Sequence, residues 1–174
     1  VCVLGPMLAR NGEALVSLPG GCVIGDRPID LHLRGLEALG AEVEVKGGDI
    51  KVTAPSGLKG ANVNMSGQYG STVLGTDNVM MAAVFAEGET IIEGAAAEPE
   101  VEDLAKFLNS LGAKIEGAGT SRIVIQGVEG LSGGEHVFIP DRIEAGTFMV
   151  AGALIGDGIT LENVRAQHLK KLIK

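Results

Sequence analysis

The sequence predicts an α/β fold built from repeated β-α-β-α-β-β units. The first observation is self-similarity, since residues 33–45 (LRGLEALGAEVEV) return 72 residues later as residues 105–117 (AKFLNSLGAKIEG). A second pair of similar segments, residues 79–88 and 149–158, lies 70 residues apart. Similarity at a nearly constant period indicates units that stack on one another. Apolar runs of helical and strand type alternate within each period, which gives the order of elements.

Each element of the unit follows from its local pattern. An apolar helix ends at a glycine, as at Gly12, Gly88 and Gly158. A short strand follows, with the sequences EALVSL, ETIIEG and ITLEN in the successive copies. Next comes an amphipathic helix, whose apolar residues in the second copy are Val101, Leu104, Leu108 and Leu111. Two strands of alternating pattern complete the unit.

A domain boundary is predicted near Pro140, which follows a strand-like run and disfavours helix at the residue before it. Residues 1–139 would then form two repeats of one domain, and residues 140–174 would begin a second domain. The repeat pattern starts inside a helix-like run at Val1 and stops inside another at Lys174. Because natural domains seldom end within a helix, we expect an internal fragment of a longer protein.

The composition excludes several classes of function. The net charge is −8 and the basic residues form no stripe, so neither nucleic acid nor an anionic membrane is an expected partner. No apolar run approaches the ~20 residues that span a bilayer. Two cysteines without a secretory signal predict reduced thiols and a cytoplasmic protein. The three histidines have no spacing typical of a metal site, and we expect no metal and no cofactor.

The first candidate site is residues 17–32 (SLPGGCVIGDRPIDLH). Cys22 lies among glycines and five residues before Arg27, a setting in which a thiol can act as an acid or a nucleophile. The alternative is a small apolar residue buried in a turn, which is the commoner role of a free cysteine. Cys2, in an apolar helix-like run, is expected only to pack.

The second half of this segment holds two polar candidates. Arg27 can bind a phosphate or carboxylate through two parallel N–H groups. Asp30 can accept an N–H from a base or a sugar. The alternative, which spacing alone favours, is that Asp30 caps the N-terminus of the following helix.

A third candidate is residues 67–78 (GQYGSTVLGTDN), which precede an apolar helix. Ser71, Thr72 and Val73 could place backbone N–H groups around a phosphate at the N-terminus of that helix. The alternative is an ordinary capping loop. The residue pattern does not decide between the two.

The cysteine segment, residues 18–41, resembles that of the UDP-N-acetylglucosamine 1-carboxyvinyltransferases, which are enolpyruvyl transferases. The resemblance extends over essentially the whole chain and includes residues 86–128 and 139–151. It implies an inside-out α/β barrel of two domains, each of three repeats around buried helices. The active site of that family lies between the domains, and this chain would hold two repeats of one domain and the start of the other.

The resemblance also implies an activity. Members transfer the enolpyruvyl group of phosphoenolpyruvate to the 3-hydroxyl of UDP-N-acetylglucosamine and release phosphate, the first committed step of peptidoglycan synthesis. Cys22 would be the general acid that protonates the methylene carbon, and would form adducts with phosphoenolpyruvate and with fosfomycin. Other residues match substrate contacts: Arg27 for charged groups, Pro28, Ile29, Asp30 and Leu31 for the uridine end, and Ser71, Thr72 and Val73 for the diphosphate.

Two features of the sequence keep other readings open. The loop at residues 67–78 is about three residues longer than the family's commonest form and lacks a lysine often found there, which would suit a non-catalytic scaffold. Another enolpyruvyl transferase, such as that of the shikimate pathway, is the rival enzyme, although the cysteine loop argues against it.

Further catalytic segments of the family are not found in this chain, so we expect little turnover from it alone. Unpaired repeat edges also predict self-association.

Overall fold

The computed structural model describes residues 1–18 and 28–174. They divide into two compact units, Val1–His136 and Val137–Lys174. The elements of the larger unit are, in chain order, α1 (Leu4–Asn11), β1 (Glu13–Ser17), α2 (Asp30–Ala38), β2 (Glu42–Lys46), β3 (Asp49–Thr53), β4 (Asn62–Asn64), α3 (Val73–Ala83), β5 (Glu89–Glu93), α4 (Pro99–Ser110), β6 (Lys114–Glu116) and β7 (Arg122–Gln126).

The strands of the larger unit form two sheets with a common plan. The first sheet has the order β1-β3-β2 and is antiparallel throughout. The second has the order β4-β5-β7-β6, in which β4 and β5 are parallel and the other neighbours antiparallel. Its last three strands repeat the order of the first sheet. From β4 to β7 the chain runs β-α-β-α-β-β, so the predicted repeat unit is confirmed.

Helix α3 lies at the centre of the larger unit. Its residues Val79, Met80 and Ala82 have no solvent exposure, and both α1 and α2 pack against it. The core is almost entirely aliphatic, because the chain has no Trp and only 3% aromatic residues. Small side chains in such a core let helices approach closely.

Two glycines set how closely the helices approach. A Cβ atom at Gly5 of α1 would overlap the carbonyl oxygen of Asn78 in α3. A Cβ atom at Gly35 of α2 would overlap Cγ2 of Val79, on the same helix. Neither contact leaves room for a side chain, so both helices depend on glycine where they meet α3.

The smaller unit contains α5 (Arg142–Ile155), a 3₁₀ turn (Ala166–Leu169) and α6 (Lys170–Ile173). Asp141 caps α5, since its Oδ1 accepts hydrogen bonds from the amides of Ile143 at 2.7 Å and Glu144 at 3.1 Å. Of the helices in the two described ranges, none combines the length and the apolar character needed to cross a bilayer.

The strand predicted from the sequence ITLEN is wrong. Residues 159–163 adopt no regular structure, and Asn163 has a positive φ of 52°. A strand needs a neighbour to pair its backbone N–H and C=O groups, and residues 137–174 contain no strand that could supply one. The assignment of residues 1–139 and 140–174 to two domains stays a prediction.

The predicted helix-ending glycines behave in two ways. Gly12 caps α1 in the left-handed conformation, with φ of 75° and its amide bonded to the Leu8 carbonyl at 2.8 Å. Gly88 and Gly158 also have positive φ, at 96° and 110°. They lie beyond the ends of α3 and α5, however, so each stands in the turn that follows its helix.

The substitution Gly5→Ala tests the close contact between α1 and α3. Alanine normally favours a helix over glycine by about 1 kcal/mol, so local propensity alone predicts a stabilised protein. We expect instead a loss of about 1–3 kcal/mol in the free energy of unfolding, because the new methyl group overlaps the Asn78 carbonyl. Urea unfolding measures this loss in the free energy of unfolding.

Gly130→Ala is the matched control, because a Cβ atom there meets nothing within 4 Å. Its free energy of unfolding should stay within about 0.5 kcal/mol of the parent protein. Equal stability of the two variants would contradict the close packing of α1 on α3.

Candidate functional site

A cavity of about 910 Å³ opens in the larger unit. One wall is the start of α2 with the residues before it, and the other is the segment that leads into α3. Val1 and Cys2 complete the lining. This volume is within the range of sites that hold small molecules and cofactors, which is ~300–1,000 Å³.

Seven of the nine site residues predicted from the sequence line this one cavity. They come from two segments that are far apart in the sequence: Pro28, Ile29, Asp30 and Leu31 on one wall, and Ser71, Thr72 and Val73 on the other. The remaining two, Cys22 and Arg27, lie outside the described residues. Cys2, which was expected only to pack, is a half-buried free cysteine in the cavity lining.

The first turn of α2 carries Asp30 on the cavity wall. The predicted capping role for Asp30 is wrong, because Ile29 occupies the capping position without a side-chain hydrogen bond and Asp30 is the first helical residue. A carboxylate there is still favoured by the helix dipole. The side chain of Asp30 is exposed, whereas Leu31 beside it is buried and fixes the turn to the core.

The opposite wall is organised by two threonines. Thr72 caps α3, since its Oγ1 accepts a hydrogen bond from the Gly75 amide at 3.2 Å. The hydroxyl of Thr76 donates to the Thr72 carbonyl at 2.8 Å and accepts from the Ala96 amide at 3.1 Å. The capping alternative is therefore confirmed for Thr72, while a phosphate contact at this helix N-terminus stays a prediction.

A closed turn at residues 67–70 forms the rim of the same wall. The amides of Gly67 and Gly70 each donate to the other's carbonyl at 3.0 Å. Gly70 has φ of 96°, a conformation that favours glycine. Tyr69, within the turn, lines the cavity and is 85% exposed.

Arg34 joins the two walls, and sequence reasoning missed it. Its Nη2 donates to the carbonyl oxygens of Asn64 at 2.6 Å and Ser66 at 2.8 Å, immediately before the 67–70 turn. The sequence could have indicated Arg34 as a cavity residue through its spacing, because it lies one helical turn after Leu31 on the same face of α2. Among the described residues that line the cavity, Arg34 is the only lysine or arginine.

A buried amide lies behind the cavity. Oδ1 of Asn78 accepts a hydrogen bond from the Gly5 amide at 2.6 Å, and its Nδ2 lies 3.1 Å from Nδ1 of His32. The pKa of His32 is lowered, chiefly by burial, while the nearby carboxylate of Asp30 opposes the shift. The ring is therefore kept neutral, so that Nδ1 can accept from the Asn78 amide.

His136, the other histidine of the larger unit, is not among the described residues that line the cavity. Nε2 of His136 is 3.2 Å from Oδ1 of Asp103, and its ring centroid is 5.5 Å from that of Phe107. Within residues 1–18 and 28–174, no group of His, Cys, Asp and Glu side chains is arranged to hold a metal ion.

Asp77 of α3 has an unusual ionisation. Burial is the largest cause, and together with the neighbouring charges of Glu100 and Glu98 it raises the pKa of the carboxyl to about 6. Its Oδ1 is buried without a hydrogen-bond partner. The native fold therefore favours the protonated form of this side chain more than the unfolded chain does.

Replacing Arg34 tests whether it holds the 67–70 turn. In Arg34→Ala we expect amide hydrogen exchange at residues 66–70 to accelerate by at least about tenfold, because the turn loses both anchoring hydrogen bonds. Arg34→Lys should restore little protection, since an ammonium group lacks the planar fork of the guanidinium. Exchange measured by mass spectrometry resolves this segment. Arg10→Ala, on the exposed surface of α1, is the control. If residues 66–70 exchanged as fast in Arg10→Ala as in Arg34→Ala, the anchoring role of Arg34 would be refuted.

Replacing Asp77 tests its raised pKa. Between pH 3.8 and about 6 the native state holds a proton that the unfolded chain has lost, so stability falls as the pH rises through this range. Asparagine is neutral at every pH. We therefore expect Asp77→Asn to gain about 1–2 kcal/mol in the free energy of unfolding at pH 7.5, with little gain at pH 4.

Urea unfolding at both pH values measures this gain, with the exposed Glu129→Gln as a matched loss of one negative charge. A gain of the same size in both variants would attribute the effect to net charge and contradict the local cause.

The sequence of this chain is similar to those of a known protein family. The sequence model of the family described as EPSP synthase (3-phosphoshikimate 1-carboxyvinyltransferase) matches residues 1–174. A UDP-N-acetylglucosamine 1-carboxyvinyltransferase of Akkermansia muciniphila is 62% identical over 97% of this chain, and one of Methylacidiphilum infernorum is 59% identical over 100%. The match covers 40% and 41% of those two proteins, so the chain spans about two fifths of their length.

A solved structure shares the fold. The enolpyruvyl transferase NikO from Streptomyces tendae superposes with a TM-score of 0.71 and 26% identity, over 90% of this chain and 37% of that one. The predicted fold class and the predicted resemblance are thereby confirmed. This chain belongs to the EPSP synthase (3-phosphoshikimate 1-carboxyvinyltransferase) family.

Proposed function

We propose that this chain forms part of a UDP-N-acetylglucosamine 1-carboxyvinyltransferase. The reaction is the transfer of the enolpyruvyl group from phosphoenolpyruvate to the 3-hydroxyl of UDP-N-acetylglucosamine, in the cytoplasm, for peptidoglycan synthesis. The observation that supports it most directly is the single cavity lined by residues 28–31 and 71–73. The resemblance to the UDP-N-acetylglucosamine 1-carboxyvinyltransferases had implied that these two separate segments contact the two parts of one nucleotide sugar.

The cavity has chemistry suited to a uridine diphosphate. The exposed carboxylate of Asp30 can accept an N–H from the base, beside the apolar surfaces of Pro28 and Ile29. Thr72 and Val73 stand at the N-terminus of α3, where backbone N–H groups and the helix dipole favour an anion. The two ends of a nucleotide diphosphate would therefore lie on opposite walls.

Cys22 and Arg27 have proposed roles in the chemical step. The Cys22 thiol donates a proton to the methylene carbon of phosphoenolpyruvate while the sugar hydroxyl, losing its own proton to a base, adds to the adjacent carbon. Loss of phosphate and of a proton from the new methyl group then restores the double bond on the product. Arg27, which directly precedes Pro28 in the sequence, would bind the charged groups.

The whole reaction needs more than this chain. Because the chain spans about two fifths of its relatives, we expect little turnover from it alone. Self-association is part of the same proposal. The smaller unit exposes large apolar side chains, among them Phe148, Leu154 and Ile155, which would be covered in an assembly.

The two rival readings have less support. A shikimate-type transferase would not be expected to carry the cysteine segment, and the relatives at 62% and 59% identity bear the UDP-N-acetylglucosamine name. The scaffold reading rested on the longer loop at residues 67–78. Residues 67–70 of that segment form a closed turn on the cavity rim, and the cavity stays open, so the length of the segment does not argue against ligand binding.

Labelling by fosfomycin tests the proposal. Incubation of the protein with fosfomycin should add one equivalent, located on Cys22 by peptide mass spectrometry, and UDP-N-acetylglucosamine should accelerate the reaction. Cys22→Ser should abolish the adduct, because the nucleophilic thiol is lost.

Cys2→Ser is the matched control, since Cys2 also lines the cavity, and it should leave the labelling unchanged. Labelling of Cys2 and Cys22 alike, or a rate that ignores the nucleotide sugar, would refute the assignment of Cys22.

A further inference from the structure

Tyr69 is an exposed aromatic side chain on the rim of the cavity. It is 85% exposed, the most of any large apolar residue described in the larger unit. An aromatic ring can bury a large area and gains from contact with another flat ring. Nothing in the fold requires this side chain, because its ring makes no contribution to the core.

The backbone that carries Tyr69 is nevertheless fixed at three points. Gly67 and Gly70 close the turn through their reciprocal hydrogen bonds of 3.0 Å. The base of the turn packs on α2, since a Cβ atom at Gly67 would lie 3.0 Å from Cδ1 of Leu31. Arg34 holds the preceding carbonyl of Ser66 at 2.8 Å. Because the turn is already anchored, binding a ligand through the exposed ring costs little conformational entropy.

The wall formed by residues 28–31 supplies complementary chemistry. Pro28 and Ile29 are apolar, and Asp30 adds a carboxylate that can accept an N–H. The cavity thus offers an apolar surface, a carboxylate that can accept a hydrogen bond and an aromatic ring on its rim. These features suit a flat heterocycle that carries an N–H group.

We propose that Tyr69 is a specificity-determining residue of this cavity and that its ring stacks on the nucleobase of the bound nucleotide sugar. The proposal rests on the proposed function, and it names which part of the ligand this rim recognises. The hexose and phosphate parts of the ligand make no contact with the ring.

The composition of the chain provides a direct probe. Tyr69 is the only tyrosine, and the chain has no tryptophan, so intrinsic tyrosine fluorescence reports on this ring alone. We expect UMP and UDP-N-acetylglucosamine to quench it, and N-acetylglucosamine 1-phosphate, which has no base, to leave it unchanged. Free N-acetyltyrosinamide corrects for absorption by the nucleotides.

Variants measured by calorimetry complete the test. Tyr69→Ala should weaken binding of UDP-N-acetylglucosamine and UMP by about tenfold, the scale of one base–aromatic stack. Tyr69→Phe should keep the affinity of the parent protein, because stacking needs only the ring. Both variants should unfold at the parent temperature, since the side chain lies outside the core.

The outcomes separate this inference from the function on which it rests. If the parent protein binds UDP-N-acetylglucosamine by calorimetry, but Tyr69→Ala binds within twofold of it or the fluorescence does not change, stacking by Tyr69 is wrong and the proposed function stands. Quenching by N-acetylglucosamine 1-phosphate would equally overturn the assignment to the base. If the parent protein binds none of the ligands, the nucleotide-sugar site fails and this inference fails with it.

Discussion

The fully buried amide of Asn78 holds three helices of the larger unit in one hydrogen-bonded group. It accepts from Gly5 of α1 at 2.6 Å and lies 3.1 Å from the imidazole of His32 in α2, while its own backbone belongs to α3. A buried polar group without partners costs about 1–3 kcal/mol. The three helices must therefore keep this mutual arrangement for the fold to be stable, and the packing at Gly5 and Gly35 is adapted to it.

The cavity depends on this arrangement, because its walls are the N-terminal ends of two of these helices. α2 presents residues 28–31, α3 presents residues 71–73, and Arg34 spans from one to the other. Placing ligand-binding residues at the ends of helices whose middles are locked in the core gives a rigid site. Thr76 also ties α3 to the segment between β5 and α4, because its hydroxyl accepts a hydrogen bond from the Ala96 amide.

Local pattern was sufficient to predict the repeat unit, since helix and strand periodicity and the glycines at element ends are properties of short segments. The strand at residues 159–163 failed because a strand depends on a neighbour that the smaller unit does not provide. Arg34, Asn78 and Tyr69 were missed for a related reason. The bonds of Arg34 and Asn78 join residues 30 or more positions apart, and the exposure of Tyr69 depends on the folded turn. The roles of Cys22 and Arg27 stay predictions.

Residues 28–34 and 66–74 are proposed to form one nucleotide-sugar site. Amide hydrogen exchange of the chain with and without UDP-N-acetylglucosamine tests it most directly. We expect slower exchange in these two segments together, and unchanged exchange in β6 and β7, which do not line the cavity. Protection confined to one segment, or located in β6 and β7, would contradict it.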